Sequence, residues 1–338
     1  MGKKLPLGKL NFDILEKLLE KYPGILDERL VVGPKVGEDA AVIDFPDRYL
    51  IAKTDPITFA MDEIGWYAVH INANDVAIRG AKPRWFQPAI LLPEGRSTEY
   101  LVEEIFRQIS RACRDLGVTI VGGHTEITHS LDRPIVVGSM FGEVEKGKLV
   151  TTSGARPGDD ILLTKGIVIE GTAIIAREKH EDLRKRGYEE KFIQRCIEYL
   201  YKPGISVVKE ALLANQFEIH SMHDPTEGGL ATGLYEMARA SAVGMAIYVD
   251  KIDLLSDSKR LCVEYGLDPL GTITSGSLVL ATDPENAKKV LQAYLRSGIR
   301  ASVIGRVKER GFGIKIIKDR RSEDLKWSEK DEITRIFE

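Results

Sequence analysis

Four short stretches of this 338-residue chain set acids among glycines. GPKVGEDAAV (33–42) carries Glu38 and Asp39, and KTDPITF (53–59) brings Asp55 to the end of a β-type run. HINANDVAIRGA (70–81) buries Asn72, Asn74 and Asp75 in an otherwise apolar helical stretch. VGGHTEIT (121–128) follows a strand with Gly122, Gly123, His124, Thr125 and Glu126. Hard oxygen ligands from separate strand ends suit Mg2+, which takes one or two carboxylates and completes its shell with phosphate oxygens and water. Neighbouring glycines let a backbone approach a phosphate closely. Together these residue types point to phosphate handling with a divalent cation.

Each stretch also has a plain structural reading. Asp39 and Asp55 fit ordinary turns and strand ends. Asp75 is costly in an apolar helix unless it is paired or binds a cation. Arg79, four residues on, is an available partner, and Asn72 lies on a similar face. Neither a GxxxxGK[ST] loop nor a GxGxxG fingerprint occurs, which excludes a P-loop protein and a Rossmann dehydrogenase.

HDPTEGGL (223–230) raises a different question. Local rules make Asp224 an N-cap, Pro225 the first helical residue and Glu227 the far end of a capping box. They leave Gly228 and Gly229 unexplained, at about 1 kcal/mol each in a helix interior. A helix N-terminus facing an anion is the functional alternative, and both readings can hold together. DPLGTITSGSLVLAT (268–282) adds Thr274, Ser275, Gly276 and Ser277 before a strand, as a polar turn or a small-residue wall beside a ligand.

The elements that must position these residues are legible as alternating α and β patterns. A helix starts at Asn11, strands cover AAVIDF and YLIAKTD, and a buried helix covers EIGWYAVHINANDVAIRGA. The strand RWFQPAILL follows, then an amphipathic helix ending at Gly117, then the strands VTIVGG and RPIVVGSMFGEV. TTSGARPGDD (151–160) reads as a linker. A second α/β series follows, with helices around 171–181, 190–214 and 227–241. The expected domains are 1–150 and 151–318, with a charged, peripheral tail at 319–338. A net charge of −3 gives no reason to expect nucleic acid or an acidic membrane surface. No apolar run reaches the ~18 residues of a membrane span. The N-terminus lacks the apolar core of a secretion signal. Cys113, Cys196 and Cys262 are widely spaced and read as reduced, buried thiols of a cytoplasmic protein.

The order GEDAAV, TD, NDVAIRGAKP, VGGHTE, HDPTEGGL, SGSLVL resembles the AIR synthase superfamily over about residues 30–310, and NDVAIRGAKP with HDPTEGGLA is most similar to its HypE branch. The resemblance implies a PurM-like two-domain fold. It has an N-terminal mixed β/α domain forming a dimeric β-barrel and a C-terminal α+β sandwich. It also implies ATP and Mg2+ as cofactors, with the γ-phosphate activating an acceptor. By position, Asp39, Asp55 and Asp75 match the metal-associated acids. Gly122, Gly123 and Thr125 match the turn near the phosphates, with Asn74, Gly228 and Gly229 as further nucleotide contacts. Asp224 matches the acid at the start of the later helix, as a second-metal ligand or general base, whereas His124 stands where many relatives have an acid and is read as an acid/base or hydrogen-bond partner, with Glu126 as the replacement ligand. The implied partners are a second copy of the chain and a hydrogenase-maturation protein. No cysteine follows Cys262, where HypE proteins carry a terminal carbamoyl-accepting cysteine, so a HypE-like paralogue with its own acceptor is expected. Two rivals are a nucleotide-binding regulatory or scaffolding protein without turnover and a small-molecule kinase resembling thiamine-monophosphate kinase.

Overall fold

The computed structural model describes residues 10–337 apart from 26, 36, 59–61, 320 and 329. The chain divides into two units, each with its own sheet. The N-terminal unit comprises Asp27–Gly33 and Asp39–Leu149. The C-terminal unit is built on Val150 onward and also takes Pro34–Glu38 and the first helix, α1 (Phe12–Lys21), which Asn11 caps through the amides of Asp13 and Ile14.

In the N-terminal unit, β1 (Leu30–Val32), β2 (Ala41–Asp44) and β3 (Arg48–Ile57) run antiparallel. The helix α2 (Ile64–Ala77) follows, then β4 (Lys82–Pro93) and α3 (Glu99–Leu116). The strands β5 (Thr119–Ile120), β6 (His124–Thr128) and β7 (Ile135–Glu145) complete the unit. The sheet order is β1-β2-β3-β7-β4-β5, and β6 pairs with β4. Among the described residues of one chain this is an open path, not a closed barrel. Its β5–β6 side leaves Ile120, Val121 and Ile127 exposed.

Every residue of α2 is buried. It lies flat on the sheet because β7 offers two glycines on one face, Gly138 and Gly142. A Cβ on Gly138 would stand 2.5 Å from Asn72 Nδ2 and 2.8 Å from Phe86, and one on Gly142 would strike Val76. Gly138→Ala is therefore expected to cost about 1–3 kcal/mol by overpacking. Chemical denaturation reads this directly, and an unchanged midpoint would contradict the packing argument.

The C-terminal unit contains β8 (Asp160–Thr164), α4 (Ile169–Glu178), α5 (His180–Lys185), α6 (Glu190–Ile197) and α7 (Val208–Ala214). Then come β9 (Ser221–His223), α8 (Gly229–Ser241), β10 (Gly244–Tyr248) and α9 (Ser256–Tyr265). It closes with β11 (Val279–Thr282), α10 (Pro284–Arg296), β12 (Ala301–Lys308), β13 (Ile314–Lys318) and β14 (Arg321–Asp324). Its sheet runs β14-β13-β10-β12-β8-β11-β9. Leu163, Val279 and Ile247 from the sheet pack with Ile175, Leu234 and Leu261 from the helices. The single helix expected over 190–214 is two, because Pro203 has no amide to donate and Gly204 turns at φ 88°. The segment beyond 318, expected to be peripheral from its charge, is not. Its sparse apolar residues Leu325, Ile333 and Ile336 enter the core, and Trp327 stacks on Tyr235 at 3.7 Å. Among the described residues no helix is long and apolar enough to cross a membrane.

Candidate functional site

In the N-terminal unit, acids from three separate stretches gather around one ammonium. Lys53 Nζ lies 2.8 Å from Asp75 and 3.4 Å from Asp55. Lys53 and Asp55 are two apart on β3 and so share a face. Asp75 reaches the same point from α2. Asp39, on the approach to β2, takes the fully buried Arg79 at 3.5 Å. The expected Asp75–Arg79 pair is thus replaced: Lys53 serves Asp75, and Arg79 serves Asp39. Spacing along the helix could not show Lys53, which arrives from the sheet beneath. Asn72 Nδ2 donates to the Asp55 carbonyl at 3.3 Å and to the Ala68 carbonyl at 2.8 Å, tying helix to strand. Asn74 is buried on the same helix.

The electrostatics follow from burial. Asp75 is 5% exposed. Desolvation pushes its carboxyl up to about 6, Lys53 opposes that rise, and Asp39 and Asp55 add to it. Burial also works against the Lys53 charge, but Asp75, Asp55 and Asp39 outweigh it and hold the ammonium above its ordinary range. Three carboxylates face two cations here. The set is all hard oxygen, with one excess negative charge.

Gly122, Gly123, His124 and Thr125 lie on the sheet's far side. Register places Asp55 opposite Gly138, Gly138 opposite Pro88, and Ala89 beside His124. His124 is thus near Asp55's row but three strand spacings away, about 14 Å. Within one chain the turn does not join the acid cluster. Gly123 adopts φ 150°, and any side chain there would strike Pro88. His124 Nε2 pairs with Glu126 at 3.0 Å on the surface, and Thr125 is exposed beside them.

In the C-terminal unit, HDPTEGGL departs from its local reading. The helix begins at Gly229, and Gly228 is the cap residue at φ 78°. Asp224 does not cap it, and Glu227 completes no capping box. Gly229, at φ 63°, also needs a bare Cα: a side chain would stand 2.5–2.6 Å from the carbonyls of Leu270 and Thr272. The anion at this helix N-terminus belongs to the chain itself. Asp331 Oδ2 accepts the Gly228 amide at 2.6 Å. Asp224 is buried, 2% exposed, between β9 and α8. His223, absent from the sequence-based set, precedes it and pairs through Nε2 with Glu236 at 2.9 Å. Its adjacency to Asp224 was the available signal.

Thr274, Ser275, Gly276 and Ser277 are buried, closer to a polar turn than to an open wall. Thr274 Oγ1 accepts the Val168 amide at 2.6 Å, ahead of α4. Glu170, in the first turn of α4, is buried, and its Oε2 has no hydrogen-bond partner among the described residues. Burial pushes its carboxyl up to about 8; Ser275 opposes this, while Glu227 and Asp331 reinforce it. All three cysteines are free and buried, and burial pushes each thiol up to about 12. None is an activated nucleophile.

Comparison with known proteins matches residues 37–144 to the AIR synthase related protein, N-terminal domain, and residues 156–317 to the corresponding C-terminal domain. The chain belongs to the AIR synthase related family. A Methanocaldococcus jannaschii relative is 30% identical over 94% of each chain. Carbamoyl dehydratase HypE of Azotobacter vinelandii is 32% identical over 80% of this chain and 78% of that protein. A chain of a solved HypE–HypF complex matches with a TM-score of 0.72 at 26% identity, over 87% of this chain and 94% of that one. Hydrogenase maturation protein HypE in complex with ATP shares the fold, with a TM-score of 0.68 at 24% identity over 95% and 96%. The PurM-like two-domain fold expected from the motif order is therefore the fold of this family.

Proposed function

We propose that this chain is an ATP-dependent enzyme of the HypE type, using the γ-phosphate to activate a small or protein-borne acceptor. The observation carrying this reading is the meeting of Asp39, Asp55 and Asp75 around Lys53, from stretches 16 and 20 residues apart. Phosphoryl transfer asks a protein for positioning and charge neutralisation more than for a covalent nucleophile. The all-oxygen donor set fits Mg2+, and Asp39, Asp55 and Asp75 would hold it. Bound there, the ion would neutralise and orient the phosphates. The chain's own residues do the rest. Lys53 offers its ammonium to a phosphate oxygen, Arg79 fixes Asp39, and Asn72 keeps the Asp55 backbone in register with α2. Asp224 is assigned the role of second-metal ligand or general base.

The relatives' names support the reaction class, since a carbamoyl dehydratase is similar in sequence and a HypE in complex with ATP shares this fold. The exposed β5–β6 side supports a second copy extending the sheet, and the solved HypE–HypF complex supports a maturation partner. Three unpaired buried thiols fit a reducing, cytoplasmic setting.

Calorimetric titration with a non-hydrolysable ATP analogue tests the site. Binding should require Mg2+ and weaken at least tenfold in Asp55→Asn, the scale of a lost charge-assisted contact. Metal-independent binding, equal in both proteins, would remove the site. With ATP itself, tight binding without phosphate release in any mixture would mark a binding protein, and a phosphorylated product a kinase.

A further inference from the structure

Ser328, Asp331 and Glu332 brace the loop that carries His223 and Asp224. Asp331 is 6% exposed, and its carboxylate accepts three backbone amides from three places in the chain. Oδ2 takes Gly228 at 2.6 Å, while Oδ1 takes Ile333 at 2.7 Å and Ile273 at 3.1 Å. Neighbouring residues add parallel ties. Thr232 Oγ1, in the first turn of α8, donates to the Ser328 carbonyl at 2.9 Å. The Glu332 amide donates to the Gly271 carbonyl at 3.1 Å, and its Oε2 accepts the Asp268 amide at 3.3 Å. The segment thereby joins the start of α8 to the loop at 268–273.

The loop 224–228 is held at both ends. At one end His223 pairs with Glu236, from the middle of α8. At the other, the Gly228 amide is gripped by Asp331. Gly228 adopts φ 78°, and its cap position has no side chain that could hold the turn locally. A carboxylate 103 residues away supplies the missing cap. Charge-assisted bonds to backbone amides are about twice as strong as neutral ones, so this carboxylate is a strong tie on the turn.

We propose that Asp331 is a positioning residue, fixing the loop that carries Asp224 by capping the amide of Gly228. The proposal rests on the reading that this loop serves ATP turnover, and it adds a residue that local sequence rules assign to a solvated tail. An amide in place of the carboxylate cannot accept at both oxygens, because one end becomes a donor facing N–H groups.

The test uses the full chain and Asp331→Asn, with two readouts: hydrogen exchange of the peptide spanning 224–231, and steady-state ATP turnover. The expected result is faster exchange in that peptide. It should come with a fall in kcat of up to about 10²-fold, the scale of a misplacement near 1 Å. KM for ATP should stay unchanged, and exchange across 41–57 of the other unit should not move. Asp331→Glu, which restores the carboxylate, should recover part of kcat. If Asp331→Asn does not fold, Thr232→Val loosens the same turn by losing only the bond to Ser328, and carries the same readouts. Unaltered exchange at 224–231 overturns the brace. A loosened loop with undiminished kcat overturns the positioning role and leaves the metal–nucleotide reading, which the acid cluster tests separately, intact.

Discussion

Asp75→Asn is expected to lower ATP turnover by about 10²-fold or more, the scale found when one preorganised electrostatic group aimed at a transition state is removed. The substitution is nearly isosteric, so the packing of α2 against Gly138 and Gly142 is retained. What it removes is the buried charge that faces Lys53 at 2.8 Å. Lys53 keeps Asp55 at 3.4 Å, so its ammonium is not left alone in the interior. The stability cost should therefore fall short of the ~3–5 kcal/mol of an orphaned buried charge. Circular dichroism and a thermal melt establish the fold, and phosphate release gives the rate. Turnover within a few-fold of the parent, in a folded variant, would show that these acids form only a structural ion cluster.

The second large effect is on stability against pH, at Glu170. Its carboxyl titrates near 8 in the folded chain against an ordinary 4.5, burial being the main cause. The raised value means that the folded state holds the proton more tightly than the unfolded one. The stabilising contribution is complete below about pH 4.5, declines as pH rises, and is gone above about pH 8. Glu170→Gln mimics the protonated acid at every pH. The two proteins should melt together near pH 4, and the variant should be the more stable at pH 9. Linkage sets an upper bound of about 5 kcal/mol on the difference, from 1.36 kcal/mol per unit. That corresponds to a gain of at most about 10 °C at the bound. Asp331, pushed up to about 6 mainly by burial, also faces the Glu170 charge, so the two proteins are compared at pH 9, where Asp331 is ionised in both. Parallel melting curves from pH 4 to 9 would show that Glu170 is solvated or paired.

Much of this architecture could be read from the linear chain. The apolar continuity of residues 64–77 announced a helix buried on all sides, and α2 is that helix. Thr98 and Gly117 bound α3 as local capping rules require. Asp39, Asp55 and Asp75 stood out because acids among apolar and glycine-rich residues must find a partner, and the fold brings all three to the same place. The partners themselves were not legible. Lys53 sits two residues before Asp55, a spacing that matters only once β3 is known to lie under α2. Arg79 looked like the natural mate of Asp75 at i+4, yet it turns to Asp39.

Local pattern thus dictated which segments are helix or strand, and which acids demand compensation, because both depend on periodicity and desolvation. The tertiary structure alone decided which cation meets which acid. It also decided that the cap of α8 comes from Asp331 rather than Asp224, and that a charged tail contributes to a core. The reason is the same each time. A buried charge or bare amide is satisfied by whatever group the fold brings within about 3 Å, and sequence distance, here 103 residues, does not enter that free energy.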